Sequence, residues 1–187
     1  MNEFVTEAIV LGSYTRGEYD KYAVLFTYTF GKIEARVVSG SKPQSKLFPH
    51  LDTLNHVTVR LARKTHFVVT DALTCNRFTN LRTNSRKLHS ALIGVSLLRT
   101  LLPPLLPDTE LWQYLLQKLE GGGLTPFHIL SMLGYDPTLA SCTLCKKSNA
   151  DAFLTTEEGF LCGQCAARVP DTPHLIYLSP LTTITTP

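Results

Sequence analysis

The chain has 187 residues, 44% of them hydrophobic and 18% charged, and a formal net charge of +3 at pH 7. That composition supports a real core and excludes general disorder. The charge is unevenly placed. Between residues 32 and 64, Lys32, Arg36, Lys42, Lys46, Arg60, Arg63 and Lys64 face only Glu34 and Asp52, whereas acids outnumber bases after Leu111. A basic first half is either a polyanion footprint or an ordinary solvated face, and both readings stay open.

The first third is strand-like. EFVTEAIVLGSY, KYAVLFTYTF, KIEARVVSG, HVTVRLA and THFVVTDALT are short runs rich in Val, Ile, Thr, Tyr and Phe. In the fourth run Val57, Val59 and Leu61 alternate with His56, Thr58 and Arg60, the period of a half-buried strand. Turn chemistry separates the runs at TRGEYD, at FGK and in the longer GSKPQSKLFPHLD. Five short strands with one long connection predict a small antiparallel barrel; the OB-fold has that strand count, and an SH3-like barrel reads the same way.

After Cys75 the period becomes helical. Leu81, Leu88, Leu92 and Val95 predict one stripe, widened by Leu98, Leu101 and Leu102. Leu111, Trp112, Leu115, Leu116 and Leu119 form a second, opened by Asp108 and closed by a glycine run. A third helix is expected from Leu124 to Leu133, ending at Gly134. The apolar run ALIGVSLLRTLLPPLL is broken by Arg99 and a proline pair, too interrupted to span a bilayer. No cationic start with an apolar run behind it opens the chain, so a soluble, intracellular protein is expected.

The most specific pattern lies near the end: Cys142 and Cys145, then Cys162 and Cys165, two CxxC pairs. In a reducing compartment this spacing reads as a tetrahedral metal site before it reads as disulfides. A redox dithiol would open a helix in a strand–helix unit, which the surroundings do not offer. Four thiolates leave no open position for water, so the implied Zn2+ is structural. Cys75 stands alone and reads as a small buried apolar residue. GxGxxG, GxxxxGK[ST] and GxSxG are all missing from the sequence, and nothing argues for catalysis.

The fold class expected is therefore α+β, with an N-terminal barrel over residues 1–75, a helical domain carrying the four-cysteine knuckle over 76–169, and a Pro- and Thr-rich tail over 170–187. In that order the chain resembles the RecO family of bacterial recombination mediators, in its zinc-bearing type. AIVLGSYTRGEYDKYAVLFTYTFGKIEARVVSG is similar to the family's N-terminal pattern, GSKPQSKL to the basic loop that follows, and LLPPLLPDTELWQYLLQKLE to its leucine-rich helices. MLGYDPTLASCTLC, running straight into the first knuckle, is the most specific stretch.

The resemblance implies a non-enzymatic cytoplasmic, nucleoid-associated protein that binds single- and double-stranded DNA through an N-terminal OB-fold. It also implies annealing of complementary strands and, with RecR, assistance of RecA loading on DNA coated by single-stranded-DNA-binding protein (SSB), whose acidic tail many members contact. Lys32, Arg36, Lys42, Lys46, Arg60, Arg63 and Lys64 are the DNA-binding candidates. Arg82 and Arg86, with His89 on what reads as one helix face, are candidates for a partner or more DNA. Tyr22, Phe26, Tyr28, Phe30 and Phe67 are either stacking surfaces or barrel core. Family members usually continue beyond an LSP-like segment, so the chain reads as a form shortened at its C-terminus. The competing reading is a zinc-ribbon module that docks protein or structured RNA.

Overall fold

Apolar alternation in the first third builds five strands: β1 (Asn2–Arg16), β2 (Asp20–Thr27), β3 (Gly31–Val37), β4 (His56–Arg63) and β5 (Phe67–Asn76). In a computed structural model that describes residues 2–16, 20–37, 47–170 and 172–178, they close into a barrel in the order β1-β2-β3-β5-β4. All neighbours are antiparallel except β3 and β5, which pair in parallel through Ala35–Phe67, Arg36–Val68 and Val37–Val69. Inward-facing Ala8, Val10, Ala23, Leu25, Ile33, Ala35, Val57, Val59, Leu61 and Val69 form the core. The alternation read in β4 holds: Val57, Val59 and Leu61 are fully buried while Arg60 is exposed.

β1 has no such alternation in its centre, because Ala8, Ile9, Val10 and Leu11 are all buried. Ala8 and Val10 face the barrel interior, and the helix α2 (Ser85–Leu101) packs on the other side of the strand. A strand covered on both faces reads as a continuous apolar run.

α1 (Thr79–Arg82) is a single turn. α2 restarts after it, with the Asn84 side chain accepting a hydrogen bond from the Lys87 N–H at 3.1 Å. The restart breaks the predicted stripe in two: Leu81 is buried on α1, Val95 and Leu98 are buried on α2 together with Ala91, Gly94 and Leu97, and Leu92 between them is exposed. α3 (Thr109–Gly121) begins and ends where expected. Asp108 accepts from the Leu111 N–H at 2.9 Å, and Gly122 terminates the helix in the left-handed region at φ 64°.

Between α2 and α3 the segment from Leu102 to Pro107 runs along the start of β3. The Leu105 N–H donates to the Lys32 carbonyl at 2.9 Å. Its approach depends on Gly31, which sits at φ +67°; a Cβ there would lie 2.0 Å from the Leu106 carbonyl oxygen. Backbone cannot move aside as a side chain can. Gly31→Ala should destabilise the protein by about 3 kcal/mol, combining left-handed strain with a backbone clash, as urea unfolding would measure; a change within 0.5 kcal/mol would contradict this packing.

The chain divides into two compact units, Met1–Leu124 and Thr125–Pro187. The division falls after α3 and not at residue 75, because the first three helices cluster with the barrel. The second unit opens with α4 (Pro126–Met132), capped by Thr125. It continues as the strands β6 (Ala152–Leu154), β7 (Gly159–Leu161) and β8 (Leu175–Tyr177), with the short helix α5 (Gly163–Ala166) after β7. The sheet order is β7-β6-β8, all antiparallel. Among the described residues no helix is long and apolar enough to cross a membrane.

Candidate metal centre and nucleic-acid surface

The two knuckles are built differently and meet across the β6–β7 hairpin. In the first, the Lys146 N–H donates to the Cys142 carbonyl at 2.9 Å and Lys146 adopts φ 61°, turning the chain tightly after Cys145. In the second, Cys162 precedes α5 and its carbonyl accepts from the N–H groups of Cys165 and Ala166 at 3.0 and 2.8 Å. The Sγ atoms of Cys142, Cys145, Cys162 and Cys165 all lie within 4.8 Å of one another. A tetrahedron of thiolates at about 2.3 Å from zinc has sulfur separations of about 3.8 Å, so this donor set fits such an ion. The 3.6 Å between the Cys145 and Cys162 sulfurs has the same scale.

Electrostatics point the same way. Backbone N–H groups of Cys145 and Cys162 aim at the Cys142 sulfur and pull its thiol down to about 6, favouring the thiolate. Cys165 is pushed up by the neighbouring Cys162 thiol and by burial, so four thiolates cannot coexist there without a cation. Cys142, Cys162 and Cys165 are buried together with Ala152, Leu161 and Ala166, which makes the site part of this unit's small core. Asp151, absent from the sequence reading, braces it. One carboxylate oxygen accepts from the Gly163 N–H at 2.7 Å and from Asn149 at 2.9 Å, tying the start of α5 to the hairpin. No spacing rule marks such a residue.

Cys75 is exposed, not buried as expected. Thr74 pairs with the inward-facing Val57, so its neighbour Cys75 turns outward, with its Sγ 3.2 Å from the Thr58 hydroxyl.

The basic candidates separate into groups. Lys32 and Arg36 project outward from β3, and Arg63 and Lys64 stand at the β4–β5 turn. A groove of about 460 Å³ brings Lys32, Arg63 and His66 together beside Phe67, Pro104 and Leu105, with Glu34 also on its wall. The Lys32 ammonium is half-buried, donates to the Arg99 carbonyl at 2.8 Å and has its pKa lowered by desolvation. The Arg63 guanidinium lies 4.7 Å from the Phe67 ring centre. His66 had no distinguishing neighbours in sequence; only closure of the barrel brings it to Lys32. Arg60 is not in this groove. It faces Glu3 at 3.8 Å and is paired in register with Asp71, so its charge is balanced locally. Lys42 and Lys46 lie outside the described residues.

Arg82 and Arg86 do not share a helix face: they belong to α1 and α2, separated by the Asn84 cap. Arg82 is a structural residue. Its guanidinium donates to the carbonyls of Arg77 and Thr53 at 2.7 Å and to the Asn55 side chain at 3.0 Å. Arg86 and His89 are exposed on α2. Of the aromatic candidates, Phe26 and Phe67 are buried and Phe30 packs on the barrel core, while Tyr22 is half-buried and Tyr28 exposed.

Fold and site together define a small-barrel protein with a four-cysteine module able to hold a metal ion. Residues 1–73 match the family model "Recombination protein O N terminal". A DNA repair protein RecO from Dehalococcoides mccartyi is 29% identical over 178 residues, covering 88% of this chain and 70% of that protein. Those of a Roseiflexus species and of Acetivibrio thermocellus are 27% and 26% identical, over 86% and 88% of this chain and 62% and 71% of their own lengths. Over most of its length the chain is similar to RecO proteins, and that likeness supports a role in DNA repair and recombination.

Proposed function

We propose that this protein is a non-enzymatic recombination mediator of the bacterial cytoplasm and nucleoid. Its barrel, read as an OB-fold, binds single- and double-stranded DNA and anneals complementary strands, and with RecR it assists RecA loading on SSB-coated DNA. The observation that carries this is the convergence of Lys32, Arg63 and His66 on one groove of the barrel, in a chain whose first 73 residues match the RecO N-terminal domain.

Cations along such a groove bind phosphates whatever the sequence, releasing counterions and making affinity fall with salt. Annealing follows from the same physics. Two strands repel each other, and a surface that screens both without covering their bases lowers that barrier with no bond chemistry. The metal, proposed as Zn2+ on Cys142, Cys145, Cys162 and Cys165, supplies a crosslink rather than a reaction, since four thiolates complete its coordination.

The test is annealing of dye-labelled complementary strands, naked and pre-coated with SSB, followed by energy transfer. Acceleration of coated strands is the expected result and establishes both strand pairing and work through SSB. Acceleration of naked strands alone would confine the proposal to DNA, without an SSB contact. No acceleration of either would remove the mediator reading in favour of a zinc-ribbon docking module, which the exposed Leu139 and Leu144 around the first knuckle would then serve.

A further inference from the structure

We propose that Tyr14 and Tyr22 form a platform on which unpaired bases of a single strand stack, a site that adjoins the groove around Lys32 and Arg63 through Glu34. This rests on the DNA-binding reading above and narrows it to a ligand: nucleobases free of a duplex.

The platform follows from strand register. Tyr14 on β1 pairs with Tyr22 on β2, and Tyr22 pairs with Arg36 on β3. Ala23, Leu25, Ala35 and Val37 point into the barrel core, so Tyr22 and Arg36 point outward by the two-residue period. The tyrosine rings are parallel within 10° and their centres are 5.4 Å apart. Neither belongs to the core: both are half-buried, whereas the neighbouring Phe26 is 1% exposed and packs against Trp112 under the helices. The Tyr14 hydroxyl donates to the Glu34 carboxylate at 2.7 Å, which holds one ring in place before any ligand arrives.

The surrounding charges orient what binds. Glu34 repels a phosphate next to Tyr14, so a strand lying here keeps its backbone away from that carboxylate and lays its bases over the tyrosines. Every base has a flat π-face, so such stacking is independent of sequence; a duplex buries those faces in its own stack and cannot use the platform.

A cross-strand aromatic pair also stabilises a hairpin, so the test must separate the two roles. Binding of labelled oligothymidine and of a duplex of equal length would be measured by anisotropy across salt concentrations. Replacing Tyr14→Val and Tyr22→Val together should weaken oligothymidine binding by about tenfold or more, with duplex affinity and the salt slope unchanged. Tyr14→Phe with Tyr22→Phe keeps the rings and should keep single-strand affinity. Single-strand binding unchanged in the valine variant, or an equal loss for both DNA forms, would overturn the platform.

A second measurement needs no variant. Photocrosslinking of wild-type protein to an iodouracil-substituted oligonucleotide should label peptides containing Tyr14 or Tyr22, and labels confined to other peptides would refute the proposal. Wild-type protein that failed to bind oligothymidine at all would instead sink the DNA-binding reading on which this one stands.

Discussion

Removing the metal, or replacing Cys142→Ser, is expected to unfold most of the unit from Thr125 to the end of the chain while the barrel stays folded. The reason is the size of that unit's core. Beyond a few side chains such as Ile129, Leu130, Phe153, Phe160 and Ile176, it is a cluster of Cys142, Ala152, Leu161, Cys162, Cys165 and Ala166, half of whose members are cysteines of the candidate metal site. Three three-residue strands and two short helices bury too little apolar area to hold together without a crosslink. Binding of structural zinc supplies on the order of 10 kcal/mol in comparably small domains. Without a cation the four sulfurs must also share protons within 4.8 Å, where Cys142 favours the thiolate and Cys165 resists it.

Hydrogen exchange would locate the effect. Amides around β6, β7 and α5 should lose protection in chelator-treated protein, and those of β1 to β5 should keep theirs. Uniform retention of protection would argue against a structural metal. Because protons compete with the metal for thiolates, the same loss should appear as pH falls, and it should reverse when pH is restored with zinc present.

Charge reversal at the β4–β5 turn, where Arg63 lines the groove and Lys64 follows it in the chain, should have the largest effect on binding. Arg63→Glu with Lys64→Glu is expected to weaken DNA affinity by roughly tenfold to a hundredfold at low salt, equally for all sequences. The slope of log affinity against log salt should become shallower by about 2, the loss of two phosphate contacts. Both residues are exposed at the β4–β5 turn, so their replacement should leave the barrel folded. Arg60→Glu is the internal control. Its partners Glu3 and Asp71 already balance that charge on another strand face, so it should change affinity far less. An equal effect of the Arg60 and Arg63 changes would mean that the barrel acts through its total charge and not through the groove.

Some of this was legible before any coordinates. The gathering of Cys142, Cys145, Cys162 and Cys165 followed from spacing alone, since two tight turns each present two sulfurs. The five strands followed from β-branched runs and their turns, and the capping of α3 from Asp108 and the glycines behind Leu119. The misreadings share a cause. Leu81 and Leu92 have helical spacing, but Asn84 caps α2 between them and resets the phase, a local competition that a periodic count passes over. Cys75 was read as buried because residue type was used where register decides. Arg82 looked like a free surface cation, and only the approach of Thr53 and Asn55 shows it to be a brace.

The sequence by itself determined which residues could hold a metal, that a β-rich first part precedes a helical one, and that positive charge gathers between residues 32 and 64. Those properties are local: they depend on residue type and on spacings of a few positions. Tertiary structure alone decided which charges act together. Parallel pairing of β3 with β5 closes the barrel and carries His66 and Arg63 to Lys32, while the β1–β4 register sets Arg60 opposite Val5 and diagonal to Glu3. It also decided that Tyr14 lies against Tyr22 and that Gly31 must admit the backbone of Leu106. Contacts between distant residues depend on strand order and register, which chain periodicity does not encode.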